Sequence, residues 1–360
     1  MRRCSAAYRG VTHRGAAAAR AFATYFESVY LPNTPRLDAS IASQCGNSAI
    51  LISVLRLDMD DLNIAFKKFK RSIGPDGLPG YVIRGCSDSL SKPLLFLFNL
   101  SLVKGVYPTR WKVTRVTPVP KSGSKSEVTN YRPIAIFSSV AKLFDFALYR
   151  RIYPQYEGQM ADIHHGFRAG RSTTTNLTCL VEDLARELDH GGQVDVAYFD
   201  YQKAFDRVDN DVLINRLGEA GFSPTLLNFF SSYLADRRQY VRFNNFESNL
   251  YFTRSGVSQG SNLGPLLFTI LVNGLGRVVR ETRCLMFADD LKLYTVVSRV
   301  ADCRGLQRDI DNVTEWSEAS GLQLNPDKCS VVSYSRARDP LYHNYYIGTD
   351  LLRYRVEIID

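Results

Sequence analysis

The tightest constraint on how this chain can fold is the stretch Cys284-Leu285-Met286-Phe287-Ala288-Asp289-Asp290-Leu291-Lys292-Leu293-Tyr294, an apolar run broken by two adjacent carboxylates and then resumed. Apolar, β-prone residues on both sides of a short polar step predict two strands joined by a tight turn, with Asp289 and Asp290 at its tip. Side chains alternate along a strand, so neighbouring acids can approach one ion only where a turn twists the chain between them. On this stretch alone two readings stand: a solvated Asp-Asp turn, or half of a metal site that needs a further carboxylate.

Val194-Asp195-Val196-Ala197-Tyr198-Phe199-Asp200 supplies the candidate. Its apolar run reads as a buried strand, and Asp200 falls where that strand ends, which is where open sheets carry functional side chains. Carboxylates on neighbouring strand ends suit Mg²⁺, which takes oxygen ligands, keeps several waters and is often shared with substrate phosphates. Two such ions, roughly 4 Å apart, serve phosphoryl transfer.

The motifs around these acids resemble those of reverse transcriptases. Phe287-Ala288-Asp289-Asp290 is similar to the family's catalytic box, and Phe199-Asp200-Tyr201-Gln202-Lys203-Ala204-Phe205-Asp206 to its other carboxylate motif. Between them, Arg254 to Phe268 (Arg-Ser-Gly-Val-Ser-Gln-Gly-Ser-Asn-Leu-Gly-Pro-Leu-Leu-Phe) is similar to the template-and-nucleotide motif, with Ser258 where many members carry proline. Order and spacing both fit, and the nearest branch is the polymerase of non-LTR retrotransposons of the LINE or jockey-like kind. The resemblance implies an α/β (α+β) right-hand polymerase fold with an antiparallel palm sheet: fingers over 58–190, palm over 191–345, and at 346–360 the start of a truncated C-terminal region that leaves no room for a thumb; residues 1–57, with little periodicity, read as a leader of uncertain order apart from a short docking helix at Phe22, Tyr25 and Phe26.

It also implies roles. Asp200, Asp289 and Asp290 would be the catalytic metal ligands, holding two Mg²⁺ ions for which Mn²⁺ could substitute. Lys121, at the end of a predicted Trp111–Pro120 strand, and Arg132, on the strand returning from Asn130, would clasp the nucleotide triphosphate; Arg binds phosphate in bidentate fashion and Lys as a point charge. Phe205 would lie under the sugar and exclude a 2′-hydroxyl, and Lys328 would sit near the phosphates and protonate pyrophosphate. Gln259 and Gly260 would position the base pair, the amide by hydrogen bonding and the glycine by permitting close backbone approach. Arg168 and Arg171, in His164-His165-Gly166-Phe167-Arg168-Ala169-Gly170-Arg171, would contact template phosphates. The His pair lacks a spaced third ligand or cysteine, which argues against zinc. Asp206 reads as structural.

The implied partners are an RNA template, a DNA primer or target, and dNTPs; oligomeric state is not legible. Lys and Arg outnumber Asp and Glu by 45 to 36, a net charge of +9 that suits a polyanion. Seven cysteines without a Cys-x-x-Cys pair point away from zinc modules and disulfide frameworks, toward a reducing interior, the nucleus and cytoplasm, rather than secretion. Five arginines precede the first acid, Glu27, a composition shared with transit peptides. No apolar run is long enough to span a membrane. The alternatives are a group II intron-type reverse transcriptase and a catalytically incomplete, co-opted remnant that binds nucleic acid; this fragment could be weak or inactive. Phe205 argues against an RNA-dependent RNA polymerase.

Helices are signalled from Asp58 (Leu62, Ala65, Phe66, Phe69, Ile73, with Lys67, Lys68, Lys70 and Arg71 opposite), over a buried Pro93–Val103, and over Ser138–Tyr153, Leu177–Leu188, Asp209–Ala220, Ser223–Leu234 and Val300–Ala319. Strands are expected at Ser330–Tyr334 and Tyr342–Ile347.

Overall fold

The computed structural model describes residues 5–8, 10–32, 51–54, 56–68, 73–121 and 123–355. The chain separates into two compact units, Met1–Gly158 with Phe205–Leu267, and Gln159–Ala204 with Phe268–Asp360. The first begins with β1 (Ser5–Tyr8), β2 (Val11–Arg14), α1 (Ala16–Val29), α2 (Met59–Lys67), α3 (Gly80–Gly85), α4 (Ser87–Lys104), β3 (Val113–Pro120), β4 (Tyr131–Ile136) and α5 (Ser139–Tyr156). The second opens with α6 (Thr173–Asp189) and β5 (Gln193–Phe199). The chain returns to the first for α7 (Asn210–Glu219), α8 (Pro224–Leu234), β6 (Arg237–Phe243), β7 (Phe246–Glu247), β8 (Tyr251–Thr253) and the start of α9 (Leu263–Val272). It finishes in the second with β9 (Arg283–Phe287), β10 (Asp290–Val296), α10 (Val300–Ala319), β11 (Ser330–Ser335), β12 (Tyr346–Ile347), β13 (Asp350–Leu351) and β14 (Arg353–Tyr354).

The two units interleave in sequence, so no single boundary at 190 separates them. The reason is strand pairing: β6 joins β3 in a sheet ordered β4-β3-β6-β7, while β5 joins β10 and β11 in a sheet ordered β14-β11-β5-β10-β9. Residues 5–32 also differ from the expected leader. Alternating small and aromatic residues on α1 bury Ala18, Ala21, Phe22 and Phe26 against Val116, Tyr131, Val241 and Tyr251 of the first unit. The Phe22 ring meets Tyr131 edge-on at 4.8 Å and lies 4.9 Å from Phe243. Phe69, Lys70, Arg71 and Ser122 lie outside the described residues.

The predicted Pro93–Val103 helix is longer than expected and is not buried all round. Leu94, Phe98 and Leu102, at i, i+4 and i+8, face the core, whereas Phe96 and Val103 are 67% and 70% exposed. A second aromatic core of the same unit gathers Phe98, Tyr107, Trp111, Phe144 and Phe229, with Phe98 and Phe144 stacked at 4.5 Å. Helices α7 and α8 start where capping chemistry predicts: the side chain of Asp209 accepts from the amides of Asp211 and Val212, and that of Ser223 from Leu226.

In the second unit, β5 runs antiparallel to both β10 and β11 and is the central strand. Leu180 and Leu184 of α6 close over Val194, Val196, Leu285 and Tyr294. The expected Tyr342–Ile347 strand shortens to Tyr346–Ile347, paired with β13. Among the described residues no helix is long and apolar enough to cross a membrane.

Candidate active site

The β9–β10 hairpin closes with Asp290 paired to Phe287, which leaves Ala288 and Asp289 as the two turn residues and makes Asp290 the first residue of β10. Of the two, only Ala288 has a positive φ, at 55°. That sign suits the first central position of a turn matching strand twist, yet it is strained for a residue with a Cβ. Asp289 is partly exposed and Asp290 exposed.

Across the sheet the pairing of β10 with β5 ends at Leu291 with Phe199, and Asp290 and Asp200 are the next residue of each segment. Both line one cleft at this end of the sheet. The Asp200 carboxylate also accepts from Lys328 Nζ at 3.2 and 3.3 Å. Its backbone is held by the following loop: the carbonyl accepts from Asn325 N at 2.8 Å, and the amide meets Cys329 Sγ at 3.4 Å. Burial pushes the Cys329 thiol up to about 11, so it packs as a neutral group. Asp200, Asp290, Lys292 and Lys328 line one cleft of about 630 Å³, with Asn176 and Arg355 at its sides.

Carboxylate oxygens at neighbouring strand ends are the donors that hard divalent cations take. Among the described residues no three acids or histidines are gathered into a ready-made cage. The three predicted ligands Asp200, Asp289 and Asp290 are thus not gathered as one such group.

Arg168 and Arg171 both turn back onto their own loop. Arg168 donates to the carbonyl of Ala161 at 3.0 Å and to the Asp162 carboxylate at 3.3 Å. Arg171 donates to the Asp162 carboxylate at 3.0 Å, to the Asp162 carbonyl, and to the His164 carbonyl at 3.3 Å. The loop they brace carries His164, which is buried, and His165, whose Nδ1 lies 2.8 Å from Thr175 Oγ1. Burial, with the guanidinium groups of Arg168 and Arg171 nearby, pushes His164 down from 6.5 to about 4. Neutral His164 thus contributes stability that is complete above pH 6.5 and lost as pH falls toward 4. The loss should reach up to about 3 kcal/mol, and His164→Gln should flatten the acid limb of urea midpoint plotted against pH. An unchanged limb would place the acid sensitivity elsewhere.

Apart from Lys328, the residues assigned to the nucleotide lie in the first unit. Val119 pairs with Arg132, and the Lys121 amide donates to the Asn130 carbonyl at 2.7 Å. By strand alternation Lys121 and Arg132 therefore lie on one face of the β3–β4 hairpin, on a diagonal. The turn carrying Gln259 and Gly260 lies against β4: Ala135 N donates to the Gln259 carbonyl at 2.8 Å, and a Cβ at Gly260 would come within 2.6 Å of the Ala135 carbonyl oxygen. Phe205 is half-buried, and its carbonyl accepts from Val257 N at 2.8 Å. Gly256, at φ +90°, would put a Cβ 2.7 Å from the carbonyl oxygens of both Phe205 and Asp206.

Two acids outside the proposed set shape this region. The Asp206 carboxylate accepts from Gln259 Nε2 at 3.2 and 3.3 Å, so the residue read as structural orients the candidate amide. Asp145, buried in the middle of α5, accepts from Asn262 N at 2.5 Å, from Leu263 N at 3.4 Å and from Tyr233 Oη at 3.3 Å. It caps the start of α9 directly after the Gln259–Gly260 turn. Burial pushes its carboxyl up, opposed by the hydrogen bonds from Asn262 and Leu263. One signal was available: an acid interrupting the apolar face of Leu143-Phe144-Asp145-Phe146-Ala147-Leu148.

Comparison with known proteins identifies the family. Residues 119–347 match the family described as reverse transcriptase (RNA-dependent DNA polymerase). The chain is 30% identical over 277 residues to the probable RNA-directed DNA polymerase from transposon BS of Drosophila melanogaster, covering 72% of this chain and 30% of that one. It is 27% identical over 283 residues to the RNA-directed DNA polymerase from mobile element jockey of the same species, covering 76% and 31%. To the Pol polyprotein of retrotransposable element R2 of Popillia japonica it is 28% identical over 288 residues, covering 76% and 39%. The chain thus spans between about three and four tenths of the length of these relatives. With more than half its length matched, the chain belongs to the reverse transcriptase family.

Proposed function

We propose that this chain is the RNA-directed DNA polymerase core of a non-LTR retrotransposon, adding deoxynucleotides to a primer 3′-hydroxyl on an RNA template. The observation that supports the reading is that β5 and β10 are neighbours in one sheet and that Asp200 and Asp290, just past their last pair, line one cleft. In a right-hand polymerase the sheet of the second unit, antiparallel over β11-β5-β10-β9 with β14 parallel at one edge, would correspond to the palm, and the β3–β4 hairpin to part of the fingers.

Asp200, Asp289 and Asp290 would hold two Mg²⁺ ions, which when bound activate the attacking hydroxyl and neutralise the leaving oxygen. Lys121 and Arg132 bind the triphosphate from one hairpin face. Gln259, held by Asp206, presents its amide to the base pair. Lys328 is delivered to the carboxylates by its bond to Asp200, where its ammonium can give up a proton to the departing pyrophosphate. Arg168 and Arg171 keep a template role through donors not used in bracing their loop.

Primer extension on poly(rA) with an oligo(dT) primer, Mg²⁺ and labelled dTTP tests the reading. Template-dependent extension is expected, and Phe205→Val should raise incorporation of UTP relative to dTTP by about tenfold or more, since a side chain that excludes one hydroxyl discriminates by at least that factor. Incorporation equally fast without template would overturn the function; an unchanged UTP to dTTP ratio would remove Phe205 from the sugar site.

A further inference from the structure

The second unit holds the Asp289–Asp290 turn from one side by a short segment that the catalytic motifs do not include. β9 is the edge strand of its sheet. Residues 163–165 run alongside that edge: Met286 N donates to the Ile163 carbonyl at 2.8 Å, and His165 N donates to the Met286 carbonyl at 2.8 Å. His164 and Met286 are thereby bridged in parallel. The next residue, Gly166, reaches the turn itself. A Cβ there would fall inside contact distance of Ala288 N and 3.2 Å from both Ala288 Cα and Phe287 C. All of these atoms are backbone, so no side-chain rotation could relieve the clash.

We propose that Ile163–Gly166 is the positioning element of the metal-binding turn, and that Gly166 is glycine because only a residue without a side chain lets this strut close on Ala288. Ala288 carries the positive φ of the turn, at 55°, and is followed directly by Asp289. An alanine in that conformation is held there by its surroundings rather than by preference. The surroundings are the two bonds to β9 and the backbone of Gly166. Arg171 extends the strut outward, because its bonds to the carbonyls of Asp162 and His164 hold the segment in place. Gly166 and Arg171 are thus positioning residues for Asp289 and Asp290, acting through the turn. The inference rests on the reading of Asp289 and Asp290 as metal ligands.

The test is a Mn²⁺ titration of the full chain, free of nucleic acid, followed by electron paramagnetic resonance, alongside steady-state extension. Gly166→Ala should weaken Mn²⁺ binding by about 10- to 100-fold, the usual consequence of disturbing the groups that orient metal ligands. It should lower kcat while leaving KM for dTTP close to the parent value, because no nucleotide contact is touched. Adding Ala288→Gly, which frees the backbone that the new Cβ displaces, should restore part of the loss; a merely structural defect would not be rescued at that position. Gly85→Ala, where a Cβ meets nothing within 4 Å, is the control and should match the parent.

Parental Mn²⁺ affinity in Gly166→Ala, with loss in Asp289→Asn, would overturn the strut and leave the metal reading intact. Parental affinity in both would overturn the metal reading, and the strut with it. Should Gly166→Ala lose its circular dichroism spectrum, Arg171→Ala takes its place: a severalfold loss of Mn²⁺ affinity is expected, and an unchanged affinity overturns the proposal.

Discussion

Asp289→Asn should lower the single-turnover rate of dTTP addition on poly(rA)/oligo(dT) by about 10³-fold or more. The substitution keeps size and shape and removes one anionic ligand. Stabilisation of transition-state charge by a bound metal is worth several kcal/mol, and each 1.4 kcal/mol is about a factor of ten in rate. Asp200→Asn should fall as far, on the same proposal that both carboxylates hold the metal ions. Neither variant should move the thermal midpoint much: Asp289 sits in a partly exposed turn, and among the described residues the ion pair lost at Asp200 is that with Lys328, whose side chain is 62% exposed. Asp206→Asn is the informative contrast. It retains an oxygen acceptor for Gln259, so its rate should stay far closer to the parent than that of either metal-ligand variant. A parental rate in Asp289→Asn would remove that residue from the chemistry.

The largest stability effect should come from Asp309→Ala, at about 3–5 kcal/mol. Asp309 lies on α10 and is fully buried. Its carboxylate accepts from three consecutive amides, Arg280 at 3.0 Å, Glu281 at 2.8 Å and Thr282 at 2.8 Å, and from Thr282 Oγ1 at 2.9 Å. Those amides form the approach to β9, which leads into the catalytic turn. Removing the acceptor strands several partly buried donors at about 1–3 kcal/mol each, less whatever water recovers. Urea unfolding should show the loss as a lower midpoint at unchanged slope. Thr282→Val, which deletes one donor together with its need for a partner, should cost about 1 kcal/mol. Equal effects from both would mean that the carboxylate is not the anchor.

How much was legible beforehand depended on the range of the interaction. Helix α10 has the expected bounds, and α7 and α8 lie within a residue or so of theirs, because caps such as Asp209 and Ser223 and apolar spacings are local. The hairpin at Asp289 was legible for the same reason, although its turn residues are Ala288 and Asp289 and Asp290 already belongs to β10. The first thirty residues were legible only in part: Phe22, Tyr25 and Phe26 suggest a docking helix, which is α1. Nothing in the Ala-rich run of α1 signals that Phe22 and Phe26 are covered by strands a hundred and more residues later. Helix α4 was over-buried for a related reason: apolar residues all round a helix do not say which side meets the core.

The candidate site divides in the same way. The chemical types of Asp200, Asp289, Asp290, Lys121, Arg132 and Gln259, and the order of their motifs, were set by the chain alone, since a carboxylate or a guanidinium carries its chemistry wherever it is placed. Only tertiary structure decided that Asp200 and Asp290 line one cleft, because that is a matter of which strands pair. It also decided that Arg168 and Arg171 brace their own loop, that Asp206 holds Gln259, and that Asp145 and Asp309 spend their charge on backbone amides. Those facts depend on which groups lie within about 3 Å of each other after folding, and hydrogen bonds between residues far apart in sequence leave no periodicity to read.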